Sequence, residues 1–126
     1  MRHGFAVTDD PRYLQYFRLF REEKYFEAHE ILESLWLETK GEQRVFYQGL
    51  IQLAAALVHF QKGNLDGARE LVQNASKHFL PYLPKYGGVE ISLILKEFEK
   101  FLAEWSKNPS QPLRAKKFIP QPDLKP

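Results

Sequence analysis

Four residue types suited to acid–base, metal or hydrogen-bonding chemistry recur at helical spacing in the first half of this sequence. His29, Glu33 and Trp36 stand at i, i+4 and i+7. At 3.6 residues per turn they project within about 60° of one another from one side of a helix. Gln48, Gln52, Ala55 and His59 follow i, i+4, i+7 and i+11 and form a second stripe. Glu30 lies further round toward solvent, as a rim group of such a site or an ordinary surface carboxylate. Consecutive helices joined by a short turn pack as antiparallel neighbours. If the two stripes face each other, one interior slot holds a carboxylate, two imidazoles and two amides. Such a set can bind a small molecule or a peptide end, hold a divalent metal through His29, Glu33 and His59, or close into a structural network.

Energy gives the pattern weight. A domain of this size keeps a net stability of roughly 6 to 19 kcal/mol, at about 0.05 to 0.15 per residue. An unpaired buried carboxylate costs roughly 3 to 5 kcal/mol of that. Glu33 must therefore find partners, shift its pKa or reach water. Each residue also has a plain structural reading: His29 as a satisfied core histidine, Trp36 as core, Gln48 as filler beside Gly49, where another helix can approach closely. His3 and His78 stand outside both stripes and are assigned no part.

Several chemistries are excluded by what stands at each position. His29-Glu30-Ile31-Leu32-Glu33 begins like a zinc-protease helix but carries Glu33 where the second histidine belongs. The paired Glu-x-x-His of di-iron bundles fails, because Phe26 precedes His29 and Ala56 precedes His59 at the glutamate positions. No serine sits in a nucleophile elbow, and no glycine-rich phosphate loop follows a strand. The absence of cysteine removes disulfide, thiol, zinc-ribbon and iron–sulfur chemistry. No cofactor is therefore expected beyond that one candidate metal set, and no catalytic residue is assigned.

The elements that must position these residues read as helices almost end to end. Asp10-Pro11 caps and starts a first helix, about 11 to 23, with Tyr13, Leu14, Phe17 and Phe20 on its apolar side and Tyr16 at the edge. A second, about 25 to 40, turns Ala28, Leu32, Leu35 and Trp36 inward, and Gly41 ends it. The third, about 42 to 62, has no charged residue from Val45 through Gln61 with His59 neutral, the mark of a central helix. Gly63 closes it and Asn64 caps a fourth, stopped by Pro81 and Pro84, with Gly87-Gly88 as the next turn. A fifth, about 89 to 106, lines up Ile91, Ile94, Leu95, Phe98, Leu102 and Trp105. The expected fold is all-α, a compact five-helix array with the third helix central, in one domain over residues 1–106.

Residues 107–126 differ in kind, with five prolines and no period, and read as a basic tail that is either extended or disordered, with Phe118 and Ile119 as the candidates for lying on the body. Its five cations against Asp123 give +4, leaving −2 for the other 106 residues of a chain whose total is +2. The body thus lacks the basic stripe that nucleic acid requires, which speaks against DNA or RNA as a partner. No stretch reaches the roughly 20 apolar residues needed to span a bilayer, and no signal-peptide core begins the chain. A cytoplasmic address is the expectation.

A weak repeat appears at an offset of 40, aligning Lys24 through Glu33 with Asn64 through Gln73. Gly63-Asn64-Leu65-Asp66-Gly67-Ala68 resembles the inter-helix turn of a tetratricopeptide repeat, although any close antiparallel helix pair also needs a small residue there. Tyr25-Phe26-Glu27-Ala28-His29-Glu30-x-x-Glu33-x-x-Trp36, then Phe46-Tyr47-Gln48-Gly49-Leu50-Ile51-Gln52, then Ala55 with His59, is similar to a bacterial and archaeal family known as domain of unknown function number 309. The likeness covers about residues 12 to 83. It implies a compact helical fold and a cytoplasmic protein, and brings no activity, substrate or cofactor. Three readings of function remain. The leading one is a binding module for a small molecule or peptide, with a polar pocket between the second and third helices. The others are a metal-assisted hydrolase or lyase using His29, Glu33 and His59, and a helical protein-interaction scaffold in which the stripe is a structural network.

Overall fold

Asp10 opens the fold by accepting the Arg12 backbone N–H at 2.9 Å, which fills one of the donors a helix start leaves unpaired. The computed structural model describes residues 10–107, and the expected tail with Phe118 and Ile119, together with His3, lies outside them apart from Lys107. Five helices follow: α1 (Pro11–Arg21), α2 (Tyr25–Glu38), α3 (Glu42–Gln61), α4 (Leu65–Phe79) and α5 (Ile91–Lys107). Between α4 and α5 the chain makes a 3-10 turn, Leu80–Tyr82, and a small antiparallel ladder of β1 (Lys85–Tyr86) with β2 (Val89–Glu90). That ladder takes the first two residues expected of the fifth helix. Strands of two residues are too short for alternation to reveal.

Helix α3 is the hub. Ten of its residues are buried, and it packs along α2 on one side and α4 on another. Tyr16 of α1 donates its hydroxyl to Leu50 O at 2.6 Å, and Phe60 meets Phe101 and Trp105 of α5 edge-on. On α1 the period is shifted from expectation: Tyr16 is fully buried and Leu14 is exposed. The bond to Leu50 is what lets the Tyr16 phenol enter the core without stranding its hydroxyl.

The repeat at offset 40 is a repeated turn. After α1, the Lys24 N–H bonds Leu19 O and the Glu23 N–H bonds Phe20 O; after α3, Asn64 bonds His59 O and Gly63 bonds Phe60 O. This is the same two-bond closure of a helix end, with the residue between in the left-handed region. Gly63 sits there at φ +78° and Glu23 at φ +62°. Ala28 and Ala68, the repeat's matched alanines, are both fully buried. Among the described residues no helix is long and apolar enough to cross a membrane.

Candidate functional site

The polar stripes occupy half-buried flanks instead of the interior. His29, Glu33, Trp36, Gln48, Gln52 and His59 are all partly exposed, Glu30 is exposed, and apart from tyrosines no polar or charged side chain among the described residues is fully buried. Helical period gives a residue's angle and not its depth. On α2 the buried set is Tyr25, Ala28, Leu32 and Leu35, and His29 and Trp36 stand one step to its side. Glu33 thus reaches water and needs no buried partner.

The α3 stripe turns toward α4. Gln52 Oε1 accepts from His78 Nδ1 at 2.8 Å, so His78, left without a part from sequence, closes this contact. His59 Nδ1 accepts from Asn64 Nδ2 at 3.0 Å, while Asn64 Oδ1 caps α4 by accepting the Gly67 N–H at 3.0 Å. A Cβ on Gly67 would stand 2.5 Å from Asn64 Nδ2, so glycine makes room for the bridge. Beside this polar row Gly49 lets Phe79 in, as the close approach expected there requires: an added Cβ would lie 2.6 Å from the Phe79 ring.

The α2 stripe is built differently. Among the described residues three buried side-chain polar atoms lack a hydrogen-bond partner: Tyr25 Oη, His29 Nδ1 and Trp36 Nε1. All three belong to α2, and at 100° per residue their positions fall within about 40° of one another. From Tyr25 to Trp36 they extend along the axis for about 16 Å. Burial, and then the charge of Glu23, hold the Tyr25 phenol well above its ordinary pKa, so it stays a neutral donor and acceptor. The indole N–H of Trp36 can only donate. Tyr25 was missed from the sequence because a tyrosine on the buried arc reads as core; its i, i+4, i+11 spacing with His29 and Trp36 was the available signal.

One end of this row is fixed firmly. The Arg44 guanidinium lies 3.8 Å from the Trp36 ring centroid, and its Nη1 donates to Trp36 O at 2.9 Å and Thr39 O at 3.1 Å. A cation thereby satisfies the open carbonyls at the α2 C-terminus and pins α2 to the start of α3. On the opposite edge of α2, Arg12 of α1 donates to Glu38 at 2.9 Å and to Ser34 Oγ at 3.3 Å. Phe26 stacks beside the His29 ring, centroids 6.1 Å apart at 15°.

His29, Glu33 and His59 are not assembled as a metal set: no group of three His, Asp or Glu side chains among the described residues is placed to hold an ion. Two open pockets lie away from the stripe. One, about 400 Å³, runs between α4 and α5 past Arg69, Ser76, Glu99 and Leu102, and the other, about 320 Å³, adjoins Arg12, Glu38 and Tyr47.

A small all-helical array with a polar-flanked second helix is the class these features define. Residues 13–71, from α1 into α4, match the family described as "Domain of unknown function (DUF309)", which bears out the family resemblance seen in the sequence. The chain is similar to "Uncharacterized protein YpuF" of Bacillus subtilis (strain 168), 46% identical over 52 residues, 40% of this chain and 30% of that protein. It is also similar to an "Uncharacterized protein" of Aquifex aeolicus (strain VF5), 32% identical over 79 residues, 62% of this chain and 24% of that one. The chain therefore matches less than a third of the length of either relative.

Proposed function

We infer that this domain is a binding module whose α2 edge, along the α2–α3 seam, receives a polar small molecule or a peptide end. The observation that carries the reading is the row of three unpartnered buried atoms, Tyr25 Oη, His29 Nδ1 and Trp36 Nε1, on one side of one helix. A buried polar group without a partner costs about 1 to 3 kcal/mol, and native folds hold few of them. Three aligned on a single edge fit groups kept for a ligand better than scattered packing faults. The donors at Tyr25 and Trp36 call for acceptors, so carbonyl or carboxylate oxygens are the chemistry expected of the occupant. The α3 half of the stripe, with Gln52 on His78 and His59 on Asn64, takes the structural part.

Tyr25→Phe and Trp36→Phe test this through thermal unfolding and a thermal-shift panel of small carboxylates, amides and tripeptides. Removing an unsatisfied hydroxyl should leave stability unchanged or raise it by up to about 1 kcal/mol. A compound that stabilises the wild-type chain should lose its effect in both variants. If Tyr25→Phe, which removes only the hydroxyl, instead costs more than about 2 kcal/mol, the atoms belong to a structural network and the binding reading is wrong.

A further inference from the structure

The outer face of α2 carries a second pattern, distinct from the row of unpartnered atoms. Phe26, Glu30, Glu33 and Leu37 stand at i, i+4, i+7 and i+11, within about 60° of one another. Phe26 is 55% exposed and Leu37 is 66% exposed, and they bracket the two carboxylates about 16 Å apart. Other large apolar side chains are exposed elsewhere, Leu80 and Leu93 among them, but these two share one stripe with the carboxylates between them. None of the ion pairs among the described residues engages Glu30 or Glu33. Helix α2 contains four glutamates and no lysine or arginine, so nothing on it neutralises that centre.

We propose that this face docks a helical segment of another protein whose centre is basic and whose ends are apolar. The charge decides among occupants. A second copy of this chain, packed two-fold on the same face, would bring Glu30 and Glu33 against their own counterparts, and like charges in an interface are strongly unfavourable. Nucleic acid and anionic lipid are repelled for the same reason. A partner with Lys or Arg opposite the two glutamates, and a large apolar residue about one and a half turns to either side, meets all four positions in the manner of helix-on-helix recognition. Phe26, Glu30 and Leu37 are exposed and Glu33 is half-buried, and none of the four is among the unpartnered atoms of the row.

Selection of a displayed library of helical peptides against the full chain tests the proposal. The peptides recovered should be enriched in Lys and Arg between large apolar residues. Phe26→Ala with Leu37→Ala should weaken their binding at least about tenfold, as loss of paired hot-spot contacts does. Glu30→Lys with Glu33→Lys should abolish it and, used as bait, should recover acid-centred peptides instead. Circular dichroism of these surface variants should match the wild-type chain. The proposal is overturned if no peptide binds, if the recovered set has no basic centre, or if charge reversal leaves binding unchanged. It also fails if the Phe26 and Leu37 variants instead dissociate a dimer in sedimentation or release the chain from neutral phosphatidylcholine vesicles.

Discussion

The two halves of this chain solve the same problem with different completeness. Helices α1–α2 and α3–α4 are antiparallel hairpins closed by the same pair of backbone bonds, forty residues apart. In the second hairpin every feature agrees. Glycine occupies the left-handed position, Asn64 both caps α4 and holds His59, Gln52 meets His78, and Gly49 admits Phe79. In the first, a glutamate stands in the left-handed position, three buried polar atoms on α2 have no partner, and Phe26 and Leu37 face water. Folds concentrate such local costs where function requires them. On the binding reading proposed above, α3–α4 is the scaffold and α2 the working element.

The largest effect that can break this contrast lies in the second hairpin. Gly49→Ala adds a Cβ 2.6 Å from Phe79, which is itself buried and cannot swing away. Alanine's helix preference is worth about 1 kcal/mol, but overpacking of a tight core costs up to about 3. A net loss of about 2 kcal/mol in chemical denaturation is expected. A neutral result would mean that α3 and α4 can slide apart, and that the second hairpin is no firmer than the first.

Asn64→Ala comes next. It removes the α4 cap and leaves His59 Nδ1 without its donor, a loss of about 1 to 2 kcal/mol. The matched position in the first hairpin is Lys24, which makes no side-chain cap bond. Lys24→Ala should therefore change stability by less than about 0.5 kcal/mol, as exposed sites do. Equal losses at the two positions would erase the distinction.

The turn itself supplies a smaller test with opposite signs. Glu23 holds a left-handed conformation that costs a non-glycine residue about 1 kcal/mol or more. Part of the gain from Glu23→Gly is given back through the freer unfolded chain, so a rise of about 0.5 kcal/mol is expected. Gly63→Ala, at φ +78° with open space around it, should fall by about 1 kcal/mol. Thermal melts of the two variants side by side decide this. A loss at Glu23→Gly would show that its side chain secures the first hairpin.

Much of this architecture was legible in the sequence, and the gaps have physical causes. Asp10-Pro11, Gly63-Asn64 and Gly87-Gly88 mark turns because their backbone chemistry is local, and local chemistry survives folding unchanged. The stripes of His29, Glu33, Trp36, Gln48, Gln52 and His59 were legible as angles. Their depth was not, because a residue 60° from the centre of a buried face is covered or open according to how its neighbours are set. Nor could the period say which helix the α3 stripe would meet. Gln52 turned to His78 on α4, whose own position was stated only once α4 was docked. Tyr25 was hidden for the opposite reason: burial of the ring is readable, whereas the fate of its hydroxyl depends on what surrounds it.

The smallest effect concerns how the first hairpin is held at its outer edge, where α1 and α2 are joined by charge. Arg12 bonds Asp10 and Glu38, each at 2.9 Å, and its side-chain hydrogen bonds hold both carboxyls below their ordinary values of 3.8 and 4.5. A carboxyl whose pKa is lower folded than unfolded adds stability above the unfolded value, and that contribution is lost as pH falls through the folded value. The loss should therefore begin near pH 4.5 and be complete some way below pH 3.8. Glu38 is exposed, and water and salt screen such a pair, so the change is a shallow slope. Among the described residues, the ion pair seen in the second hairpin is the long Arg69–Asp66 contact at 3.7 Å, with Asp66 almost fully in solvent. Hydrogen-exchange protection, corrected for the intrinsic pH dependence of exchange, should thus fall for α1 and α2 before α3 and α4 between pH 5 and pH 3. Arg12→Met should flatten that difference. If α4 loses protection first, the firm and the yielding hairpins have been assigned the wrong way round.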